Sequence, residues 1–378
     1  MAKDKAQEHL GRNSKTICSH HNCQNIAIFS HAISNKFSIS TIAENQHLMC
    51  FKPKRYQLIK NPQFHSMGVN DCTGFNGFCK EHDDLFQEID NNVISTYRHI
   101  KLQVYRSLAY ELHSEKVGFY NKMELSDDII DNILSLFAKR KNKDLTSLED
   151  KKIETIKRKL KDCFSERQNK SIENRVKVIE VLFDYFYKLI ELNDEDDGKK
   201  VNRNEFTVIS TDNMNYQIFY YLTDFNIPVS LNTKITLSGS DILNYYFIVV
   251  PYENESVIIG LVPDCSPDFI NKKIQKSFDD KLSVVNFIES IISSCDGWFI
   301  KPSVLNDLSD DARTVFLNDC MFINERRFYQ DYDLSLFNQL KSDITGNRVE
   351  CFRRDVPERE DYETRYNNMM KVIEKSII

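Results

Sequence analysis

The distribution of apolar residues predicts a helix after a turn-rich N-terminal segment. Residues 16–90 contain many short turns and show little helical periodicity. From residue 95 to residue 113, in contrast, the apolar residues Ile100, Val104 and Leu108 recur at a spacing of four. Because residues four apart lie on the same face of an α-helix, this spacing predicts one amphipathic helix.

The middle of the chain has a predominantly helical pattern. Ser126 precedes two acidic residues and an apolar run, a combination typical of a helix start. Ser147 and Asp150 form a pair like a capping box, which predicts a charged helix to about residue 166. Residues 172–192 predict an apolar helix, and the acidic-then-basic stretch NDEDDGKK at 193–200 predicts a linker.

After residue 200 the pattern changes to one typical of β-strands. Four runs are rich in β-branched and aromatic residues, which favour extended structure. These runs are FTVIS (206–210), YQIFYYL (216–222), YYFIVVP (245–251) and SVIIGL (256–261). Helical patterns return near residues 279–295, 332–341 and 359–376. The C-terminal half is therefore predicted to mix helices and strands.

Composition and charge narrow the class of protein only a little. With 41% hydrophobic and 28% charged residues, the chain resembles an ordinary globular protein, and its net charge of −6 neither indicates nor excludes nucleic-acid binding. No apolar run approaches the roughly 18 residues that a membrane-spanning helix needs. The first residues, MAKDKAQEHLGRNSK, lack the apolar core of a secretory signal. We therefore expect a cytoplasmic protein with reduced cysteines and no membrane partner.

The chemistry-bearing residues are concentrated at the N-terminus. All nine histidines lie in the first 113 residues, and so do five of the ten cysteines. Cysteine and histidine are the usual ligands of zinc, and histidine is the commonest general base near neutral pH. Metal binding and acid–base chemistry are therefore both expected in this part of the chain.

Two pairs of potential ligands have the spacing of a zinc site. Cys18 and Cys23 form the first pair, and Cys79 and His82 form the second, just after a Gly-rich turn and at a predicted helix start. Two such pairs suffice for one tetrahedral Zn²⁺, and a treble-clef site presents its last two ligands in this way. His20 or His21 could replace one of the four. Alternatively, the first two cysteines are incidental thiols.

These patterns together predict an α+β protein with three parts. Residues 1–115 are expected to form a treble-clef-like zinc-binding module, and residues 116–198 a helical region. Residues 199–378 are expected to form a mixed α/β domain for sensing or assembly. A chain of 378 residues is long for a single core, which agrees with more than one domain.

His31 is the leading candidate for catalysis. It lies in an apolar setting, AIFSHAIS, between the two ligand pairs, where it could serve as general base towards water or a ribose 2′-hydroxyl. Asn45 and His47 are the further catalytic candidates, and Asp83 could orient the ring of His82. Alternatively, His31 is a structural histidine or a fifth ligand, and Asp83 interacts with a helix dipole.

Basic residues near this segment could contact nucleic acid. Lys52, Lys54 and Arg55 surround an aromatic residue, a combination suited to a phosphate backbone and a stacked base. Arg98 and Arg106, on the predicted helix at 95–113, could add phosphate contacts. An ordinary solvated loop is the favoured explanation of the first group, and Arg106 could instead brace the zinc module.

The combined motifs resemble a bacterial family. Cys18-x4-Cys23, SHAIS, IAENQHLMC, GFNGFCKEHDDLFQEID and VYRSLAYE are similar to segments of a zinc-finger-like (HNH- or treble-clef-like) family with anti-phage members, including the ring-activated zinc-finger RNase type. The resemblance covers roughly residues 16–113. It implies that Cys18, Cys23, Cys79 and His82 bind zinc and that His31 is the matching catalytic histidine.

The resemblance also implies a function for the whole chain. It points to a zinc-dependent anti-phage ribonuclease that cleaves RNA through His31 and is activated by a ring-shaped phage protein. A homo-oligomer is expected for such an effector. Two alternatives remain open, namely an HNH-like DNA endonuclease and a non-enzymatic zinc-finger module that binds nucleic acid or protein.

Overall fold

The computed structural model describes residues 16–51, 62–120, 130–131, 134, 150–192, 195–209, 214–238 and 242–377. The chain has a mixed α/β structure, about 46% helix and 20% strand, which confirms the expected mixture of helices and strands. No helix in the described ranges combines the length and the apolar character needed to cross a membrane.

The described strands form two antiparallel sheets. They are β1 (Phe29–His31), β2 (His47–Cys50), β3 (His65–Gly68), β4 (Gly74–Asn76), β5 (Thr207–Ile209), β6 (Tyr216–Leu222), β7 (Val229–Ser238), β8 (Ile242–Pro251), β9 (Ser256–Pro263) and β10 (Trp298–Ile300). β1 pairs with β4, and the other strands form one sheet in the order β3-β2-β10-β7-β8-β9-β6-β5.

The described helices range from one turn to 42 residues. They are α1 (Lys80–Asp83), α2 (Gln87–Asp90), α3 (Tyr97–Tyr120), α4 (Asp150–Glu191), α5 (Asp268–Lys276), α6 (Lys281–Ile292), α7 (Pro302–Asn306), α8 (Asp310–Met321), α9 (Asn338–Thr345) and α10 (Tyr362–Ile377). The helix predicted over residues 95–113 is thus observed as α3. The predicted helix starts at Ser126 and Ser147 lie outside the described residues.

Two predicted helices of the middle region are one continuous helix. α4 runs through the interval between residues 166 and 172, where the sequence pattern had suggested a break. That interval, RQNKS at 167–171, is polar but contains neither glycine nor proline. Polarity alone does not end a helix, because the backbone hydrogen bonds continue unless a residue removes a donor or favours another conformation.

The centre of the large sheet is buried on both faces. Every residue of β9 is buried, and so are the residues of β8 from Asn244 onwards. This explains why both strands have nearly continuous apolar sequences rather than an alternation of apolar and polar residues. β7, VSLNTKITLS, was not predicted, although Val229, Leu231 and Ile235 alternate with polar residues and face the core as in a half-buried strand.

Strands from the N-terminal segment extend this sheet. β2 pairs with β3 on one side and, through Met49 opposite Ile300, with β10 on the other. β10 in turn pairs with β7, with Trp298 opposite Leu231. The N-terminal hairpin and the C-terminal strands therefore belong to one sheet, although the paired residues Met49 and Ile300 lie far apart in the sequence.

The main hydrophobic core lies between this sheet and the C-terminal helices. Phe247, Ile258 and Trp298 contribute from strands, and Phe287 contributes from α6. α6 begins where the side chain of Asp280 accepts a hydrogen bond from the backbone N–H of Ser283, at 2.9 Å. This cap satisfies one of the backbone donors that a helix start leaves unpaired.

The chain divides into two compact units with boundaries other than the predicted ones. One unit contains residues 12–113 and 181–359, and with them both sheets. The predicted boundaries at residues 115 and 198 differ because β2 and β3 pair within the C-terminal sheet.

The other unit comprises residues 1–11, 114–180 and 360–378, and its described secondary structure is helical. In it, Lys157 of α4 pairs with Asp131 at 2.7 Å. Arg158 and Lys159 are exposed, which agrees with a solvated basic helix face.

Candidate metal centre

The first pair of cysteines lies in a tight loop, residues 17–26, here called the knuckle. Ile17 and Ile26 close the loop as an antiparallel bridge. Inside it, the backbone N–H of Cys18 donates to the carbonyl of Asn25 at 2.9 Å, and the N–H of Cys23 donates to the carbonyl of His20 at 3.1 Å. These hydrogen bonds bring two thiols separated by four residues to the same side of the loop.

The second pair follows the small sheet at the start of a helix. After β4 the chain passes Gly77, whose carbonyl accepts a hydrogen bond from the N–H of Ser19 in the knuckle at 2.7 Å. A Cβ atom at Gly77 would lie 2.0 Å from the ring of Phe75, so only glycine fits here without a shift. Cys79 then precedes α1, and His82 lies one turn further on. The predicted helix start is thus observed.

The four predicted ligands converge. One ligand atom from each of Cys18, Cys23, Cys79 and His82 lies within 4.8 Å of all the others. The Nδ1 atom of His82 is 3.2 Å from Sγ of Cys79 and 3.5 Å from Sγ of Cys18. The Sγ atoms of Cys23 and Cys79 are 3.9 Å apart. Cys18 and Cys79 are buried, and these four residues together could bind a metal ion.

The two buried thiols have different proton affinities. Burial raises the pKa of Cys18 to about 12, because a thiolate is poorly solvated there. Burial also acts to raise the pKa of Cys79, but hydrogen bonds from the backbone of His82 and from Cys18 and Cys23 outweigh it and lower that pKa. Cys79 is therefore the thiol best prepared to be a thiolate before any metal binds.

The two histidines of the knuckle lie beside the ligand cluster rather than in it. The ring of His20 stacks on that of His82, with centroids 3.7 Å apart, and its Nδ1 lies 3.1 Å from the hydroxyl of Tyr105. His21 stacks on Tyr187. Burial, together with the neighbouring His82 and His21, lowers the pKa of His20 to about 4. His20 is thus a neutral packing partner of a ligand ring.

His31 is the last residue of β1, opposite Gly74 in β4. Its Nε2 atom lies 3.1 Å from the carbonyl oxygen of Asn70. A carbonyl only accepts hydrogen bonds, so Nε2 carries the proton and Nδ1 holds the lone pair in the neutral ring. The side chain of Asn70 accepts a hydrogen bond from Asn35 at 2.8 Å, which fixes the loop that holds His31.

Asn45 lies in the tight turn that leads into β2, and His47 is the first residue of that strand. Asn45 and Gln46 have φ angles of 49° and 62°, values that asparagine adopts more readily than most residues. The Nδ1 atom of His47 lies 2.7 Å from the carbonyl of Asn45. The structure thus gives Asn45 a turn-forming role. The residue placed against His31 is Asn70, which was not among the predicted site residues.

The predicted nucleic-acid contacts have different environments. Lys52, Lys54 and Arg55 lie outside the described residues. Arg98 lies 3.4 Å from a carboxylate oxygen of Glu88. Arg106 is buried and holds both carboxylate oxygens of Asp90, at 2.6 and 3.2 Å, so its guanidinium is not presented to a phosphate. Arg106 instead braces the module, the alternative left open by its sequence.

Asp83 was expected to support His82. Its carboxylate oxygen Oδ1 is buried and has no hydrogen-bond partner among the described residues. In the described part of the chain, Asp83 makes no hydrogen bond to His82.

Comparison of the chain with protein-family models, with curated proteins and with solved structures gives no match.

Proposed function

We propose that the N-terminal segment is a zinc-stabilised, treble-clef-like nuclease module that cleaves RNA in the cytoplasm, with His31 as general base. One observation carries this proposal. A histidine with a fixed tautomer ends a strand of the small sheet, and the partner strand of that sheet leads directly into the ligand-bearing turn and helix α1. A general base needs a lone pair held in a defined direction, and this arrangement supplies one.

The donor set fits zinc. In a tetrahedral zinc site with sulfur at about 2.3 Å and nitrogen at about 2.0 Å, ligand atoms lie roughly 3.5–3.8 Å apart. His82 Nδ1 lies 3.5 and 3.2 Å from Sγ of Cys18 and Cys79, and Sγ of Cys23 lies 3.9 Å from Sγ of Cys79, distances close to this range. Three cysteines and one histidine form a closed ligand set, which is typical of structural zinc. Zinc bound here would stabilise the knuckle and α1. Proton transfer would then be carried out by protein side chains.

The proposed reaction needs only a proton acceptor and an in-line nucleophile. His31 Nδ1 takes the proton of a ribose 2′-hydroxyl, and the 2′-oxygen forms a bond to the adjacent phosphorus. The P–O5′ bond breaks, the 5′-oxygen takes up a proton from solvent water, and His31 returns its own proton to solvent. The products are a 2′,3′-cyclic phosphate and a 5′-hydroxyl, so neither oxidant nor reductant is required. General-base assistance of this kind typically contributes about 10²–10⁴-fold to the rate.

Two further parts of the proposal rest on the family resemblance alone. Activation by a ring-shaped phage protein is one of them, and assembly into a homo-oligomer is the other. Restraint until a trigger binds would suit an enzyme that degrades the RNA of its own cell.

A second candidate is an HNH-like DNA endonuclease. The position of His31 beside Asn70 favours it equally, because Nδ1 of a ring held through Nε2 could activate water instead of a 2′-hydroxyl. Such enzymes use a divalent cation to stabilise the phosphate. A third candidate is a binding module in which zinc is structural and His31 is inert.

A cleavage assay tests the proposal. Full-length wild type, His31→Ala and the control His65→Ala, which changes a half-buried histidine of β3, would be incubated with single-stranded RNA and with duplex DNA. We expect RNA loss with wild type and the control, and a reduction of at least about 100-fold with His31→Ala. Metal content should be equal in all three proteins.

A chimeric substrate separates the candidates. An RNA with a single 2′-deoxyribose at the cleaved position should resist cleavage if the 2′-hydroxyl is the nucleophile. Cleavage of duplex DNA that depends on Mg²⁺ or Mn²⁺ would replace the ribonuclease proposal by the HNH-like one. Full RNA cleavage by His31→Ala would remove His31 from the catalytic role.

A further inference from the structure

β1 is too short to fix the position of His31 by itself. It contains three residues, and its pairing with β4 ends at His31 opposite Gly74. A long strand holds each residue by hydrogen bonds on both sides along the chain, but here the sheet contacts stop at the proposed base. The backbone after His31 is held by contacts beyond this pairing, among them the hydroxyl of Thr73 against the N–H and the carbonyl of Ile33, at 3.3 and 3.4 Å.

Ala32 receives two such contacts, one on each side. Its N–H donates to the carbonyl of Thr73 at 2.9 Å. Its carbonyl accepts a hydrogen bond from Nε2 of Gln103, on α3, also at 2.9 Å. Ala32 is fully buried and Gln103 nearly so, which means that water does not replace either contact.

The amide of Gln103 has its orientation fixed by this carbonyl. Nitrogen and oxygen of a glutamine amide are interchangeable in shape, but a carbonyl partner accepts only a donor. The same Nε2 atom lies 3.0 Å from Oγ of Ser107, one turn along α3. An apolar side chain at position 103 would fill the same space without burying an amide. The hydrogen bond to Ala32 therefore explains why an amide is buried at this position.

A second brace from α3 reaches the same segment. Arg106 holds Asp90, whose carbonyl accepts a hydrogen bond from the hydroxyl of Ser34 at 3.3 Å. Arg106 acts through an intermediate residue and a longer contact. Gln103, in contrast, touches the residue next to His31 directly.

We propose that Gln103 is a positioning residue for His31. By donating a hydrogen bond to the carbonyl of Ala32, Gln103 fixes the end of β1. Nε2 of His31 then stays within hydrogen-bonding distance of the carbonyl of Asn70. Loss of the Gln103 donor lets this strand end shift, and His31 then loses its single tautomer. The part of this inference that concerns catalysis rests on the proposed function, whereas the part that concerns His31 geometry does not.

The test compares Gln103→Met with Ser107→Ala in the full-length protein. Gln103→Met keeps length and volume but removes the donor to Ala32. Ser107→Ala is the matched control, because it removes the other partner of the same amide and leaves the Ala32 contact intact. Nitrogen-15 NMR of histidine-labelled protein reports the tautomer of His31, and metal content and melting temperature report the fold.

We expect the Nε2–H tautomer of His31 in wild type and in Ser107→Ala, and a mixture of tautomers in Gln103→Met. With RNA as substrate, kcat of Gln103→Met should fall at least about tenfold with KM within about twofold, because displacements near 1 Å at a reacting group are that costly. Ser107→Ala should stay within about twofold of wild type in both constants. If Gln103→Met does not retain metal, Gln103→Leu removes the same donor with a different apolar side chain.

Two results would overturn the inference. One is an unchanged Nε2–H tautomer in a folded, metal-bound Gln103→Met protein, whatever its activity. The other is an equal change of tautomer in Ser107→Ala, which would show that general loosening of α3 is responsible. If wild type cleaves no RNA, the proposed function fails, and the tautomer alone decides whether Gln103 positions His31.

Discussion

The knuckle and the centre of the large sheet are stabilised in opposite ways. In the knuckle and just after it, the isoleucines face solvent, with Ile17 59%, Ile26 61% and Ile28 41% exposed. In β8 and β9, by comparison, almost every side chain is buried. The knuckle therefore does not owe its shape to burial of its own apolar residues, and instead four side chains that could bind a metal ion converge there.

Buried polar groups differ between the two regions in the same sense. At the knuckle, the clustered polar side chains are three thiols and one imidazole, of which Cys18 and Cys79 are buried. Beside the sheet they are complete ion pairs. Lys341 and Glu289 are almost fully buried at 2.7 Å, and Asp319 holds both Arg326 and Arg359. The clustered side chains of one region could bind an added metal ion, whereas the charged side chains of the other region pair with one another.

Removal of a metal ligand should have the largest effect, and that effect should be confined to the knuckle side. Cys79→Ser is expected to abolish metal binding and to unfold the knuckle, because structural zinc contributes about 10–16 kcal/mol in zinc-finger peptides. Hydrogen exchange should become fast at Cys18 and Ile28, whose N–H groups are bonded at 2.9 and 2.7 Å, and stay slow in β9.

The control for that substitution is Cys351→Ser, which makes the same chemical change at an exposed thiol. It should leave metal content and exchange unchanged. Treatment of wild type with a strong chelator should reproduce the behaviour of Cys79→Ser. Slow exchange at Cys18 in metal-free protein would contradict the contrast between the two regions.

Breaking the buried ion pair should destabilise the other region without touching the metal. Lys341→Met leaves Glu289 charged, buried and short of one partner, which typically costs about 3–5 kcal/mol of unfolding free energy. Urea denaturation followed by tryptophan fluorescence measures this, since Trp298 lies in the sheet core. The double variant Lys341→Met/Glu289→Gln removes the charge and should recover part of the loss. A loss of metal in Lys341→Met would show that the two regions are coupled.

Two glycines allow the same substitution to be made in both regions. A Cβ at Gly77 would lie 2.0 Å from Phe75, and a Cβ at Gly260 would lie 2.1 Å from Phe219. Overpacking of this kind costs about 1–3 kcal/mol. Gly77→Ala should weaken metal binding, whereas Gly260→Ala should lower the urea midpoint at unchanged metal affinity. If both variants changed the same measurement, the regions would not be separately stabilised.

Tyr105→Phe should have the smallest effect, because it removes one hydrogen bond. The hydroxyl of this buried residue lies 3.1 Å from Nδ1 of His20, and its ring stacks on Phe183 at 4.4 Å. The ring remains in the variant, so we expect a loss of about 1 kcal/mol. Competition with a metal indicator should show a slightly weaker metal affinity. A large loss would mean that His20 does more than pack against His82.

Local sequence patterns identified the residues whose chemical role follows from residue type and from spacing along the chain. Cys18, Cys23, Cys79 and His82 were found in this way, because few residue types bind zinc and paired ligands lie close in sequence. The strands β6, β8 and β9 were found from their β-branched and aromatic content, and α3 was found from a spacing of four.

Residues whose role depends on a distant backbone group were missed. Asn70 acts on His31 through its carbonyl, which every residue has, so nothing in the sequence distinguishes it. Gln103 is a polar residue within an apolar helix pattern, and the pattern gives no sign that its partner is Ala32. Asn45 was selected for its side chain, but its positive φ angle explains it equally well.

The sequence by itself determined which side chains could bind a metal and where the strands β6, β8 and β9 lie. These depend on side-chain type and on local periodicity, which are written residue by residue. Only the tertiary structure decided that β2 joins β10, that Arg106 is turned inward to Asp90, and that His31 meets Asn70. Such pairings join residues far apart in the chain, and they are selected by the packing of the whole sheet and its helices rather than by any local pattern.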